Sequence, residues 1–203
     1  MSEGASGPAG GSAFGSAAGF RRVDERIVHE WGMWRLVAAD FEAPDGERFE
    51  RHVVRSPGAV AVVPILFDAE GSPSVVLVDQ YRPALERAVL ELPAGMRDVD
   101  GEPPDETAQR ELIEEVGFEA GALTFLTEYL PSPGLTNATM RLYLGTDLRA
   151  VPRETHGPEE SHMVVVHLPL AEAVRRVRAG EIANAAAVIG LLLVAERLDL
   201  TPP

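Results

Sequence analysis

The chain has 203 residues, 45% hydrophobic and 25% charged, the composition of one large globular domain or one domain with a small appendage. Eighteen basic against 32 acidic residues give a formal charge of −14, which opposes binding to nucleic acid and anionic lipid. Cysteine is absent and every basic residue is Arg, which excludes disulfide frameworks, thiolate metal sites, cysteine nucleophiles, Schiff-base catalysis and a P-loop lysine.

Residues 1–20 are mostly Gly, Ala and Ser and read as a flexible tail. They have neither a basic n-region nor a continuous apolar h-region, so a secretory signal is not expected. Residues 21–56 follow as a small β subdomain. Its segments around Ile27–His29, Trp34–Phe41 and Arg48–Arg55 are separated by Gly32 and by the turn Ala43-Pro44-Asp45-Gly46. Three short strands make a marginal domain and are expected to lean on something else. Residues 57–199 form the main domain. GAVAVVPILF reads as a buried strand, SVVLVD as a second, and Ala88–Leu92 as a third. A Gly/Asp/Pro-rich loop from Pro93 to Pro104 precedes a helix over Pro104–Val116. Pro stands at the start of that helix, acids fill its first turn, and Gly117 follows its end. Strands are expected at Leu123–Tyr129, Met140–Gly145 and Met163–Leu168, then helices at Leu170–Ala179 and Ala183–Leu198. This alternation predicts an α/β fold, an α/β/α sandwich around a mixed sheet. The apolar run Ala185 to Ala195 is too short to span a membrane, which takes about 20 residues. A cytoplasmic protein is expected.

The helix over Pro104–Val116 carries the chemistry. On a wheel of about 100° per residue, Glu115 lies about 40° to one side of Glu111 and Glu114 about 60° to the other, with Arg110 just outside. Leu112, Ile113 and Val116 fall on the opposite face. Like charges at such spacing cost an isolated helix roughly 0.2–0.5 kcal/mol per pair. Together they offer oxygen donors to a hard divalent cation, and Mg²⁺ usually binds through one or two carboxylates plus substrate phosphates. An isolated run of this kind is more often a solvated acidic face. Here it follows a strand, a Gly/Pro loop and a spaced Glu102.

From Gly95 through MRDVDG, Glu102, PPDETAQ and Arg110-Glu111-Leu112-Ile113-Glu114-Glu115-Val116-Gly117-Phe118, the segment resembles the Nudix box. Every specified position from Glu102 onward matches, with Phe118 taken at the final apolar one. Six residues rather than five separate Gly95 from Glu102. The resemblance implies hydrolysis of a nucleoside diphosphate linked to another moiety, with Mg²⁺ or Mn²⁺. It implies Glu111 and Glu115 as metal ligands, Glu114 as a further one, and the Ala94 carbonyl as a backbone ligand. It makes Arg110 the arginine that orients the glutamates and Glu102 the loop anchor. Metal would offset the repulsion between a diphosphate and an acidic protein.

Asp79-Gln80-Tyr81-Arg82-Pro83, Glu91-Leu92-Pro93-Ala94-Gly95, Pro133 and Asn184-Ala185-Ala186 resemble the ADP-ribose pyrophosphatase branch. The similarity covers roughly Trp31 to Leu198 and implies a nucleoside diphosphate sugar as substrate, with AMP and ribose 5-phosphate as products. Arg82, Gly95 and Pro133 become candidate substrate contacts. Arg51 is another, because the family's N-terminal strands are often exchanged across a homodimer and reach the partner's nucleotide. His52 stands where the family often has an acid. Trp31 and Trp34 can stack on a base or pack in a dimer contact. The base that activates water is expected in the loop 156–162, with Glu160 the first choice, Glu159 the reserve and Glu114 the alternative. Other substrates of the same chemistry remain open: a dinucleotide, flavin adenine dinucleotide or another nucleotide sugar. A non-catalytic ADP-ribose sensor is disfavoured, since all three helix glutamates are present and no basic DNA-binding segment is. The scattered histidines make no zinc motif, and neither a G-x-S-x-G elbow nor a G-x-G-x-x-G fingerprint occurs.

Overall fold

In the computed structural model, which describes residues 19–153 and 161–199, the chain forms two sheets. Arg21–Trp31 (β1), Trp34–Glu42 (β2) and Arg48–Arg55 (β3) make an antiparallel sheet in that order. The second, seven-stranded sheet takes Ala59–Phe67 (β4), Pro73–Arg82 (β5), Arg87–Glu91 (β6), Ala94–Met96 (β7), Phe118–Tyr129 (β8), Met140–Ala150 (β9) and Val164–Pro169 (β10). Its order is β10-β5-β4-β9-β8, with β6 paired to β5 and β7 to β4. The β4–β9 pair is parallel, from Ala59 opposite Met140 to Pro64 opposite Gly145, and its neighbours are antiparallel, so the sheet is mixed as expected.

The unbroken apolar runs of β4 and β5 follow from burial on both faces. Val60, Val62, Val76 and Val78 pack on Ala108, Leu112 and Val116 of the helix Pro104–Val116 (α1). Ala61, Val63, Ile65, Val75 and Leu77 pack on Leu170 and Val174 of Leu170–Arg178 (α2), and on Leu191 and Val194 of Ala185–Arg197 (α3). Strand side chains alternate, so a strand between two helical layers needs apolar residues at every position. Full burial of each Val, Leu or Ile stabilises the fold by roughly 1.5–3 kcal/mol.

Helix α1 spans the predicted residues. Pro104 fits its first turn without losing a hydrogen bond. Gly117 ends it in the left-handed region at φ 71°, with its N–H donating to the Ile113 carbonyl at 3.0 Å. A side chain at Gly117 would also meet the Val151 carbonyl at 2.9 Å.

Several boundaries differ from the sequence expectation. Ala94–Met96, expected in the loop, pairs with Ala59–Ala61 as β7. Three residues are too few for a periodic signal, and the flanking Pro and Gly conceal them. Strand β8 begins at Phe118 rather than Leu123, and β9 runs on to Ala150. Gly121 and its neighbouring alanines have weak strand preference, but Gly121 suits close packing: a side chain there would lie 2.9 Å from Asp147 Cβ. Finally, α3 starts at Ala185 because Asn184 caps it, its side-chain oxygen accepting from the Ala187 N–H at 3.1 Å.

The N-terminal sheet is fastened through the segment between β8 and β9. The Val54 N–H donates to the Leu135 carbonyl at 2.9 Å, and the Ser56 N–H donates to Asn137 Oδ1 at 3.1 Å. No helix among the described residues is long and apolar enough to cross a membrane.

Candidate active site

Short β7 and the buried face of α1 close on one another through Gly95. A Cβ at that position would lie 1.9 Å from the Glu111 carboxyl carbon, so any other residue would force this carboxylate to move. Next to it, the Ala94 N–H donates to Glu115 Oε2 at 2.8 Å. Glu111 and Glu115 are 8% and 4% exposed, a burial that carboxylates tolerate only with partners.

Arg110 is the hub of the acidic face. Its Nη1 donates to Glu111 Oε1 at 2.8 Å and to Glu114 Oε2 at 3.2 Å. Its Nε and Nη2 form a fork on Glu102 at 3.1 and 3.2 Å, and Asp98 lies 3.7 Å from Nη2. The Glu102 hydrogen bonds, then the charges of Glu111, Glu102 and Glu114, hold Arg110 firmly protonated against the opposing effect of burial. In return, Arg110 draws the Glu102 carboxyl below its ordinary range, helped by Thr107 Oγ1, which donates to Glu102 Oε2 at 2.8 Å. The loop glutamate therefore anchors both the arginine and the first turn of α1.

On the opposite wall Arg82 makes a two-pronged pair with Glu91, at 2.9 and 2.7 Å. Glu91 is 5% exposed and Gln80 7%. The Glu91 bonds raise the affinity of Arg82 for its proton, with a further contribution from the charge of Glu115. Burial, and then the charge of Glu91, raise the pKa of the nearby Tyr129.

A cleft of about 520 Å³ is lined by Arg82, Ala94, Gly95, Arg110, Glu111, Glu114 and Glu115. Among the described residues, no three acidic or imidazole side chains are gathered closely enough to grip an ion. Glu111 and Glu114 accept from Arg110 instead, and Glu115 accepts from Ala94. The donor set itself is carboxylate oxygen on one helix face, the kind that suits a hard divalent cation.

The fold does not bring Arg51 or Pro133 to this cleft within one chain. Arg51 lies on β3 opposite Ala39, with its guanidinium 4.7 Å from the Phe49 ring centroid and its Nη1 donating to the Glu50 carbonyl at 2.8 Å. Pro133 is exposed in the segment after β8. Trp31 stacks on Trp34 at 6.3 Å and on His29 at 5.6 Å. Glu160 and Glu159 lie outside the described residues. Sequence reasoning did not single out Glu91, Gln80, Asp98 or Thr107 as working residues. Glu91 had a signal, since a carboxylate next to Leu90 and Leu92 in a buried strand needs a buried partner.

The NUDIX domain model matches residues 56–188. An ADP-ribose pyrophosphatase of Mycobacterium tuberculosis is 40% identical over 175 residues, 86% of this chain and 83% of that protein. An ADP-ribose pyrophosphatase of Bacillus subtilis is 33% identical over 150 residues, 74% and 78% of the two chains. A crystal structure of an ADP compounds hydrolase superposes with a TM-score of 0.78 at 29% identity, covering 91% of this chain and 97% of the other. The family match spans the strand that holds Gly95 and the helix that holds the three glutamates, and the chain belongs to the Nudix family.

Proposed function

We propose that the protein hydrolyses the diphosphate bond of ADP-ribose, or of a closely related nucleoside diphosphate sugar, to AMP and ribose 5-phosphate. The observation that carries this reading is the cleft in which Arg110 aligns Glu111 and Glu114 while β7 passes Glu111 at Gly95. The relatives named for ADP-ribose pyrophosphatase activity support the substrate.

In this reading Glu111, Glu114, Glu115 and the Ala94 carbonyl hold Mg²⁺, with Mn²⁺ as a substitute. Bound there, a divalent cation supplies charge neutralisation and a more acidic water. Arg110 holds Glu111 and Glu114 in orientation, and Glu102 keeps Arg110 in place. Arg82, fixed by Glu91, faces the same cleft and offers its remaining donors to a phosphate or the terminal ribose. Gly95 lets β7 lie directly against the Glu111 carboxylate. Glu160 accepts the proton from the attacking water, with Glu159 or Glu114 as the alternative base.

Residues 21–56 act as the dimerisation subdomain and residues 57–199 as the catalytic domain. Supporting a homodimer, the N-terminal sheet is three-stranded and leaves Phe20, Ile27, Val28 and Trp31 exposed. Arg51, which lines neither cleft beside α1, then serves the partner's nucleotide.

Hydrolysis of ADP-ribose with Mg²⁺, followed as AMP and ribose 5-phosphate beside a panel of other diphosphates, tests the reading. Outer partners of metal ligands are worth roughly 10–100-fold, so loss of a ligand in Glu115→Gln is expected to cost more than about 100-fold. Turnover unaffected by Glu115→Gln would refute the site. Cleavage of another panel member alone would move the substrate.

A further inference from the structure

A second, larger cleft of about 700 Å³ adjoins the first and shares Met33, Asp98 and Val99 with it. One side is the N-terminal sheet with Arg35 and Arg55, and the other is the loop after β7 with Arg97. Two of these arginines are committed to carboxylates. Arg35 pairs with Glu30 at 2.9 Å, and Arg55 pairs with Glu25.

Arg97 differs from both. Its backbone N–H donates to the Gly58 carbonyl at 3.1 Å, but its side-chain Nε is buried with no hydrogen-bond partner. It is the only such side-chain atom among the described residues. Acids of the same loop do not satisfy it: Glu102 is held by Arg110 and Thr107, Asp98 lies against Arg110, and Asp100, in the lining of the same cleft, makes no hydrogen bond to Nε. A buried donor without an acceptor is costly, and native structures rarely keep one without a use.

We propose that Arg97 binds a phosphate oxyanion of the nucleotide, making the joined clefts one trough for a nucleoside diphosphate compound. Nε and an Nη of a guanidinium form a rigid fork that matches two phosphate oxygens. The loop that runs from Gly95 to Glu102 thus serves two sites, the carboxylate hub through Glu102 and Asp98 and the phosphate fork through Arg97. The oxyanion comes either from the diphosphate itself or from an additional phosphomonoester on the group beyond it. This inference rests on the reading of the protein as a nucleoside diphosphatase.

The test is binding without turnover. Calorimetry with Mg²⁺ compares AMP and adenosine 2′,5′-bisphosphate on the wild type, Arg97→Gln and Arg97→Lys, with melting curves to establish folding. Arg97→Gln is expected to weaken at least one ligand by about tenfold, with Arg97→Lys intermediate because it keeps the charge and loses the fork. Equal weakening of both assigns Arg97 to the diphosphate position. Weakening of the bisphosphate alone assigns it to an additional phosphate. Unchanged binding of both ligands, or no binding of either to the wild type, overturns the proposal. ADP-ribose hydrolysis by the same preparations separates the two readings. Binding that depends on Arg97 without hydrolysis rejects the reaction and keeps the phosphate site; hydrolysis with binding indifferent to Arg97 does the reverse.

Discussion

Arg–Glu pairs occur throughout this molecule, yet they serve different ends in α1 and in the N-terminal sheet. On the sheet the arginines are exposed in every pair but Arg55 with Glu25: Arg26 to Glu50 at 3.1 Å with side chains 65% and 42% exposed, and Arg21 to Glu42 at 2.8 Å. On α1 a single arginine, 29% exposed, bonds to Glu102, Glu111 and Glu114 at once. Screening by water leaves an exposed pair worth roughly 0–1 kcal/mol. In the α1 cluster the carboxylates outnumber their arginine, so the excess negative charge is held in a fixed geometry. The sheet sets most of its charges in water, whereas the helix gathers carboxylates around one guanidinium at the wall of a cleft.

Four substitutions test that contrast. The largest effect is expected from Gly95→Ala, whose added carbon would fall 1.9 Å from the Glu111 carboxyl carbon. A shift of about 1 Å in a reacting group costs roughly 100-fold, so activity should fall at least that far. Overpacking of roughly 1–3 kcal/mol should lower the Tm by several degrees. Wild-type turnover in this variant would show that β7 has room to yield. Arg110→Ala comes next. It removes the hub but no ligand, and roughly 10–100-fold loss in metal-dependent activity is expected, read as weaker Mg²⁺ activation. An unchanged Mg²⁺ requirement would detach the arginine from the site.

A smaller effect should appear in the pH dependence of stability. Arg110 holds the Glu102 carboxyl below its ordinary value of 4.5. The folded state therefore gains stability from the ionised form, fully present above that value and lost as the pH falls through the lower folded one. The Tm gap between wild type and Glu102→Gln should be constant near neutrality and shrink below about pH 4.5. A gap that does not change with pH would assign the role of Glu102 to shape rather than charge. Smallest of all, Arg26→Ala should shift stability by less than about 0.5 kcal/mol, measured by denaturant unfolding. A larger loss would place that pair in an interface rather than in water.

How much was readable in advance follows the same division. Helix α1 announced itself through Pro104, Gly117 and a face of carboxylates, because caps and 3.6-residue periodicity are local. The sandwich was legible in β4 and β5, whose unbroken apolar runs require cover on both sides. What escaped was set by distant partners. Nothing near Ala94–Met96 states that β4 will pair with it, and nothing near Glu91 states that Arg82 will meet it. Thr107 reads as an ordinary helix residue until Glu102 folds back onto it. Periodicity reports which face is buried, whereas the choice of polar partner depends on the completed sheet.

The parallel pairing of β4 with β9 bears on how the protein is made. Ser56 and Asn137, 81 positions apart, meet at the mouth of that pairing. During synthesis α1 leaves the ribosome before β9 exists, so the sheet face that shelters Leu112 and Val116 cannot yet be complete. Contacts that distant form slowly, on timescales that approach milliseconds to seconds in strand-dominated folds. The newborn chain must therefore carry an apolar helix face covered by β4 and β5 but not yet by Tyr143 of β9, and its dense acidic face would keep neighbouring nascent chains apart until the last strands arrive.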